Sequence, residues 1–213
     1  MSVVGIIAAG GSGERLGADR PKAFVVLGGR PMVEWSVEAL AAVCDRVVVA
    51  APPGHDLASR SSLVAGGDSR SASVRNAVLA APDASIYVVH DAARPLVTRD
   101  LVERCIAALE PGVDGAIAAA RMTDTVKEAA PDGRVLRTLD RTSLWRIQTP
   151  QVFRAEVLRR ALGRDPAALA AATDDAALVE EIGGRVRVVE APPENMKVTS
   201  ESDLRVAEAL LAP

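Results

Sequence analysis

The chain has 213 residues, 49% of them hydrophobic and 25% charged, an ordinary globular composition long enough for one substantial core, and a single domain over 1–213 is expected. A formal net charge of -3 offers no general attraction to nucleic acid or an anionic membrane, so neither is expected as a partner and any anion binding must come from a local basic cluster. The start of the chain has no basic segment and only a short apolar run, unlike a signal peptide or a membrane span, and a cytoplasmic location is expected.

In chain order, Val3 to Ile7 reads as a buried β-strand that runs into Ala8-Ala9-Gly10-Gly11-Ser12-Gly13-Glu14-Arg15-Leu16-Gly17 and then Pro21-Lys22. Glycines at a strand's carboxyl end let several backbone N–H groups point at one anion, and Arg15 and Lys22 add positive charge at the rim, so the simplest ligand is a polyphosphate. A dinucleotide fingerprint fits it less well, because Leu16 stands where the third glycine belongs and no acidic residue closes the second strand, which ends in Ala50-Ala51-Pro52-Pro53. A P-loop is excluded, since the sequence contains no Gly-Lys pair.

Pro31 then predicts the first position of a helix carrying Val33, Val37 and Leu40. Val47 to Val49 reads as a second buried strand and Leu63 to Ala65 as a third, the latter closing on Gly66-Gly67-Asp68, with Asp68 or Ser69 capping a helix that holds Val74, Ala77 and Val78. Ile86 to Val89 is a buried strand leading into His90-Asp91-Ala92-Ala93-Arg94-Pro95, and core packing explains an Asp and an Arg poorly there. Thr98 caps the next helix, and Gly115 to Ala120 makes a fifth strand. This βα alternation predicts a three-layer α/β domain with a mostly parallel sheet.

From Arg121 to Pro150 the pattern changes: Thr123 to Glu128 and Val135 to Asp140 alternate around Pro131-Asp132-Gly133, which predicts a projecting β-hairpin arm. The arm has too few apolar residues to fold against nothing, so a partner subunit is expected. After it come helices from Arg154 to Leu162 and from Thr173-Asp174-Asp175 to Ile182, a strand at Val186 to Val189, Asn195-Met196-Lys197-Val198, and a last helix from Ser200 to Leu211. Cys44 and Cys105 read as buried small hydrophobes.

The candidates gathered at strand ends are Arg15, Lys22, Asp68, Asp91, Arg94 and Lys197, joined by Thr125, Arg141 and Thr149 from the arm and its return. Only three of the 25 basic residues are lysines, namely Lys22, Lys127 and Lys197, and holding a phosphate is one physical reason to keep a compact ammonium. The set is mostly cationic, with no Gly-x-Ser-x-Gly and no His/Cys metal cluster. A nucleophile that is itself a phosphate oxygen needs no general base; the difficulty is bringing two anions together in line.

Each candidate also has a plainer structural reading. His90 reads as a satisfied structural histidine, and Lys127 as a surface residue. Arg15 fits a solvated loop as well as a phosphate, Arg94 fits a pin for its own loop as well as a substrate contact, and Thr149 before Pro150 fits a turn. Asp68 fits a helix cap, and Thr173 to Asp175 a helix N-terminus.

The motifs Ala-Ala-Gly-Gly-Ser-Gly-Glu-Arg-Leu-Gly with Pro21-Lys22, Gly66-Gly67-Asp68 with Ser73-Val74, His90 to Pro95, Asp124-Thr125, Leu139-Asp140-Arg141, Gln148-Thr149-Pro150-Gln151, Thr173-Asp174-Asp175 and Asn195 to Thr199 occur in order over essentially the whole chain. Together they resemble the 2-C-methyl-D-erythritol 4-phosphate cytidylyltransferases. The resemblance implies a glycosyltransferase-A-like nucleotidyltransferase fold, transfer of CMP from CTP to the alcohol phosphate with release of pyrophosphate, Mg²⁺ as cofactor, and a place in the non-mevalonate isoprenoid route.

Carried over by motif, Arg15 and Lys22 would stabilise charge on the α-phosphate, while Lys197 and Arg141 would hold the attacking phosphate. The loop Ala8, Ala9, Gly10, Gly11 and Ser12 would cradle the nucleotide, Gly67, Asp68 and Ser73 would read cytosine, and Asp91 with Ala92 would contact ribose. Arg94, Thr125 and Thr149 are further substrate-binding candidates, and Asp91 is the candidate for an indirect metal contact. The resemblance also implies a homodimer that exchanges the arm, so that Thr125 and Arg141 reach the neighbouring site. Ribitol 5-phosphate cytidylyltransferase is the alternative within this class. A nucleotide-binding regulator without turnover, or a dinucleotide oxidoreductase, would be the alternative outside it.

Overall fold

The computed structural model describes residues 1–11, 21–57 and 61–211. Seven strands form one sheet in the order β11-β7-β10-β6-β1-β4-β5, built from β1 (Val3–Ala8), β4 (Arg46–Ala51), β5 (Ser62–Ala65), β6 (Ile86–Asp91), β7 (Gly115–Arg121), β10 (Trp145–Arg154) and β11 (Val186–Glu190). All run parallel except β10, which lies antiparallel between β6 and β7.

The central strands carry unbroken apolar runs because both faces of the sheet are covered. Val4 and Ile6 of β1, Val48 and Ala50 of β4, and Tyr87 and Val89 of β6 pack on one face, against α2 (Arg70–Leu79), α4 (Ala155–Leu162), α5 (Pro166–Ala171) and α6 (Asp175–Glu181). Their neighbours Ile7, Val47, Val49, Ile86 and Val88 pack on the other, against α1 (Met32–Ala41) and α3 (Arg99–Ala107). The period-2 alternation of strand side chains thus feeds two cores, giving the three layers expected. A small third cluster of Leu27, Met32, Val198 and Ala207 docks α7 (Glu201–Leu211) and the short hairpin β2 (Val26–Leu27) and β3 (Arg30–Pro31). That hairpin turns on Gly28 and Gly29, both at positive φ (56° and 84°), a backbone that side chains with a Cβ rarely adopt.

Several expectations need correction. Pro31 is the residue before the helix, not its first turn, and α1 begins at Met32. Strand β5 is an edge strand paired only with β4, so Ser62, Leu63 and Ala65 are exposed and not buried. The structure adds a helix, α5, opened by Asp165, whose side chain accepts from the N–H of Ala168, with Pro166 as its first residue, in an alanine-rich run that lacks apolar periodicity. In the arm, β8 (Lys127–Ala129) and β9 (Val135–Thr138) pair as a separate two-stranded sheet, shorter than the alternation predicts. Its return segment Trp145 to Pro150 already belongs to β10 of the central sheet.

The caps fall where their chemistry requires. Thr98 accepts from the N–H of Leu101, and Asp174 from that of Ala177. Both cysteines are buried free thiols whose pKa burial pushes up to about 12, which makes them inert space-fillers. Among the described residues no helix is long and apolar enough to cross a membrane.

Candidate active site

The chain starts in the middle of the sheet, adds β4 and β5 on one side, and then crosses back to place β6 on the other side of β1. The strand order therefore reverses at the β1/β6 pair, and a crevice opens beyond their carboxyl ends, where such sheets bind ligands. Ala8 of β1 pairs with Asp91 of β6 at this point.

A cavity of about 520 Å³, within the range of small-molecule sites, opens over this pair. Its lining brings together Ala8, Ala9, Gly10, Gly11, Lys22, Gly67, Asp68, Ser73, Asp91, Ala92 and Lys197 from segments far apart in sequence. Ser12 and Arg15 lie outside the described residues. A second cavity, of about 330 Å³, adjoins it and is lined by Arg94, Thr149, Gln148 and Asp174; Arg70, Asp91 and Lys197 line both.

The Gly67 turn is built by backbone proximity. A Cβ on Gly67 would meet the Cβ of Ala72 at 2.6 Å and its carbonyl carbon at 2.8 Å, so only glycine fits against the first turn of α2. The Gly67 N–H donates to the Ser73 hydroxyl, which itself donates to the carbonyl of Ser69, both at 3.0 Å. Ser69, and not Asp68, caps α2 by accepting from the N–H of Ala72. Asp68 is therefore left exposed on the cavity wall, and the helix-cap reading of it falls away.

Lys197 is held by anchors on either side. Asn195, wholly buried, donates to Gln148 Oε1 at 2.7 Å and to the carbonyl of Thr149 at 2.9 Å, and its own carbonyl accepts from Arg94 Nη1 at 2.9 Å. On the other side Val198 is buried, and its N–H donates to the carbonyl of Ala93 at 2.8 Å. Between them Lys197 Nζ reaches Asp91 Oδ2 at 2.7 Å.

Arg70, absent from the sequence-derived candidates, lies at the centre of the charges. Its Nε donates to Asp91 Oδ1 at 2.8 Å and its Nη1 to Asp175 Oδ2 at 2.6 Å. Burial pushes the Asp91 carboxyl up, but the charges of Arg70 and Lys197 outweigh it and hold Asp91 well below the usual carboxylate range. Burial disfavours the charge of Arg70, and Asp175 and Asp91 more than restore it, raising its pKa. Asp175 is wholly buried; burial pushes its carboxyl up and Arg70 opposes that. It is thus more than a residue of a helix N-terminus, as the sequence suggests, and its partner lies too far away in the chain for any local pattern to reveal it.

His90 is structural. Its Nε2 lies 3.1 Å from the carbonyl of Arg94, which can only accept, so Nε2 carries the proton, and Nδ1 accepts from the hydroxyl of Thr149 at 3.0 Å. That hydroxyl in turn accepts from the N–H of Asp91. Burial lowers the His90 pKa to about 4, so the ring is neutral at physiological pH. Arg94 is buried and spends a donor on the Asn195 carbonyl, so it pins the loops together, and burial lowers its pKa. Thr125 and Arg141 are exposed on the arm and line neither cavity; an Arg141 Nη1 hydrogen bond to the carbonyl of Thr123 folds its side chain along the arm. Among the described residues no group of three or more His, Cys, Asp or Glu could cage a metal.

Comparison with known proteins agrees with this geometry. A family model, IspD, 2-C-methyl-D-erythritol 4-phosphate cytidylyltransferase, matches residues 3–213. The chain is 44% identical over 219 residues to the 2-C-methyl-D-erythritol 4-phosphate cytidylyltransferase of Frankia casuarinae, covering 99% of this chain and 81% of that one. It is 42% identical to that of Nocardia farcinica, covering 99% and 94%. The crystal structure of 2-C-methyl-D-erythritol 4-phosphate cytidylyltransferase from Thermus thermophilus superposes with a TM-score of 0.84 at 34% identity, covering 99% of this chain and 98% of that one. A doubly covered sheet with one reversed strand, a lysine-lined crevice at its switch point and a match along nearly every residue lead to one conclusion: the chain belongs to the 2-C-methyl-D-erythritol 4-phosphate cytidylyltransferase family.

Proposed function

We infer that this protein transfers a cytidylyl group from CTP to 2-C-methyl-D-erythritol 4-phosphate, releasing pyrophosphate, in the non-mevalonate route to isoprenoid precursors. The observation that carries the reading is the meeting of Lys22 and Lys197 on one cavity whose neighbouring histidine, His90, is buried, neutral and hydrogen-bonded at both nitrogens. Among the described residues such a site is short of proton-transfer groups and holds two lysines and an arginine. That suits a reaction in which an oxygen of the alcohol phosphate attacks the α-phosphorus of CTP and the bond from that phosphorus to the bridging oxygen breaks, with no proton to move.

In this reading the loop Ala8 to Gly11 takes the triphosphate, Gly67, Asp68 and Ser73 take the base, and Asp91 with Ala92 takes the ribose. Lys22, joined by Arg15, stabilises the charge that builds on the α-phosphate, and Lys197 holds the attacking phosphate. Thr149 supports the wall beside Lys197 through its hydroxyl, which joins the Asp91 N–H to His90, and Arg94 supports it through the one donor it gives the Asn195 carbonyl. Among the described residues Asp68 and Asp91 are the carboxylates lining the main cavity, and both oxygens of Asp91 already accept from cations, so these residues offer an ion one side of a carboxylate and no cage. That fits Mg²⁺, which keeps most of its water and phosphate ligands and, when bound, would supply neutralising charge to the triphosphate.

The reading includes a homodimer through the arm. Thr125 and Arg141 line neither cavity of their own chain, and Val135 and Leu136 on β9 are 55% and 50% exposed, apolar surface that a second copy would cover. Two reduced, buried cysteines support a cytoplasmic setting. The test is incubation with Mg²⁺, CTP and each alcohol phosphate in turn. Pyrophosphate release with methylerythritol phosphate is the expected result; release with ribitol 5-phosphate alone would reassign the acceptor, and none with either would end the reading.

A further inference from the structure

Arg70 stands at the first turn of α2, where the helix dipole disfavours a cation, and on the wall that the two cavities share. It bridges two carboxylates: one oxygen of Asp91, whose other oxygen holds Lys197, and one oxygen of Asp175. Asp175 is fixed at the start of α6 with a fully buried side chain, whereas the Lys197 side chain is 42% exposed. The cluster thus graduates from a fully buried anion to a partly exposed cation, with two positive and two negative charges in all.

If Lys197 were the sole cation on Asp91, the pair would be a dedicated ion pair, and a substrate phosphate would have to break it. With Arg70 held on Oδ1 by Asp175, the Asp91 charge is divided and stays compensated when Lys197 turns to a phosphate. Resting on the reading of Lys197 given above, we propose that Arg70 is a positioning residue that lets Lys197 leave Asp91 for the acceptor phosphate, and that Asp175 is the anchor fixing Arg70 for this role.

The test is the double variant Arg70→Gln/Asp175→Asn, which removes one buried charge of each sign and so leaves neither carboxylate nor guanidinium stranded. A merely structural role predicts cooperative melting and wild-type kinetics. The proposal predicts cooperative melting with the KM for methylerythritol phosphate raised about tenfold and kcat changed less than about threefold, the pattern of lost binding made equally in ground and transition states. An unchanged KM in the double variant, with wild-type protein active, overturns the proposal alone. Inactive wild-type protein overturns the functional reading and the proposal with it. Should the double variant lose its cooperative melt, Arg70→Lys decides: it keeps a cation beside Asp175 but loses the rigid fork in which Nε meets Asp91 and Nη1 meets Asp175, so a raised KM supports the proposal and a wild-type KM refutes it.

Discussion

Gly67→Ala should cripple nucleotide binding although it adds a single methyl group. The new carbon would lie 2.6 Å from the Cβ of Ala72, 2.8 Å from its carbonyl carbon and 3.1 Å from the Ser73 nitrogen, against an ordinary carbon–carbon contact of about 3.5–4.0 Å. None of these atoms ends a flexible side chain, so relief requires the turn or the first turn of α2 to move by about 1 Å, and overpacking of this kind costs about 1–3 kcal/mol. In a chain of this size each kcal/mol lowers Tm by about 2–4 °C, so a fall of roughly 2–12 °C is expected. The same shift drags Asp68 and the Gly67 N–H bond to Ser73 away from the cavity wall, and a 1 Å misplacement is enough for a loss of about 100-fold in kcat/KM. Gly66→Ala is the control: its new carbon would meet nothing closer than 3.5 Å, ordinary contact, and Gly66 does not line the cavity. Calorimetry with CTP and thermal melts on both variants check this. A Gly67→Ala protein that binds CTP and melts like the wild type would refute the packing argument.

Lys22→Ala and Lys197→Ala should each lower kcat/KM for pyrophosphate release by about 100-fold or more, because each removes a positive charge from the wall of the cavity that would hold the reacting phosphates; rates within about twofold of wild type would mean the charges are misplaced. His90 should make stability fall with acid: its native pKa of about 4 lies below the unfolded value of 6.5, so the unfolded chain binds the proton first. The contribution, about 3 kcal/mol in full, is present above pH 6.5 and lost as pH falls toward 4. Denaturant titrations of wild type and His90→Gln over that window should diverge by about one proton in slope, and parallel curves would refute the assignment. Finally, in a dimer pairing one Arg141→Ala subunit with one Lys22→Ala subunit, exchange of the arms leaves one of two sites intact, so about half the wild-type activity is expected; verified heterodimers without rescue would count against exchange.

The layers of the fold were legible because local sequence and burial coincide there. Strands such as Val47 to Val49 and Ile86 to Val89 are apolar throughout, which a strand covered on both faces must be, and the caps at Ser69, Thr98 and Asp174 stand at the helix starts they stabilise. Sequence and structure part at the sheet's edges and in runs of small residues. Ser62 to Ala65 has the composition of a buried strand yet forms the rim of the sheet, because position in a strand order is not written in a strand's own residues. The direction of β10 is the same kind of property, set by where the arm delivers the chain.

Composition, periodicity and motif spacing by themselves determined the α/β class, the glycine turn beyond the first strand and the candidates Lys22, Asp68, Asp91 and Lys197, since each rests on residues a few positions apart. Only the folded chain decided that Ser69 caps and Asp68 faces the cavity, that His90 is closed off, and that Arg70 bridges Asp91 to Asp175. The reason is physical. Helix capping, turns and apolar alternation are interactions between near neighbours in the chain, whereas the partner of a buried charge is whichever opposite charge the packing of distant elements brings within hydrogen-bonding distance.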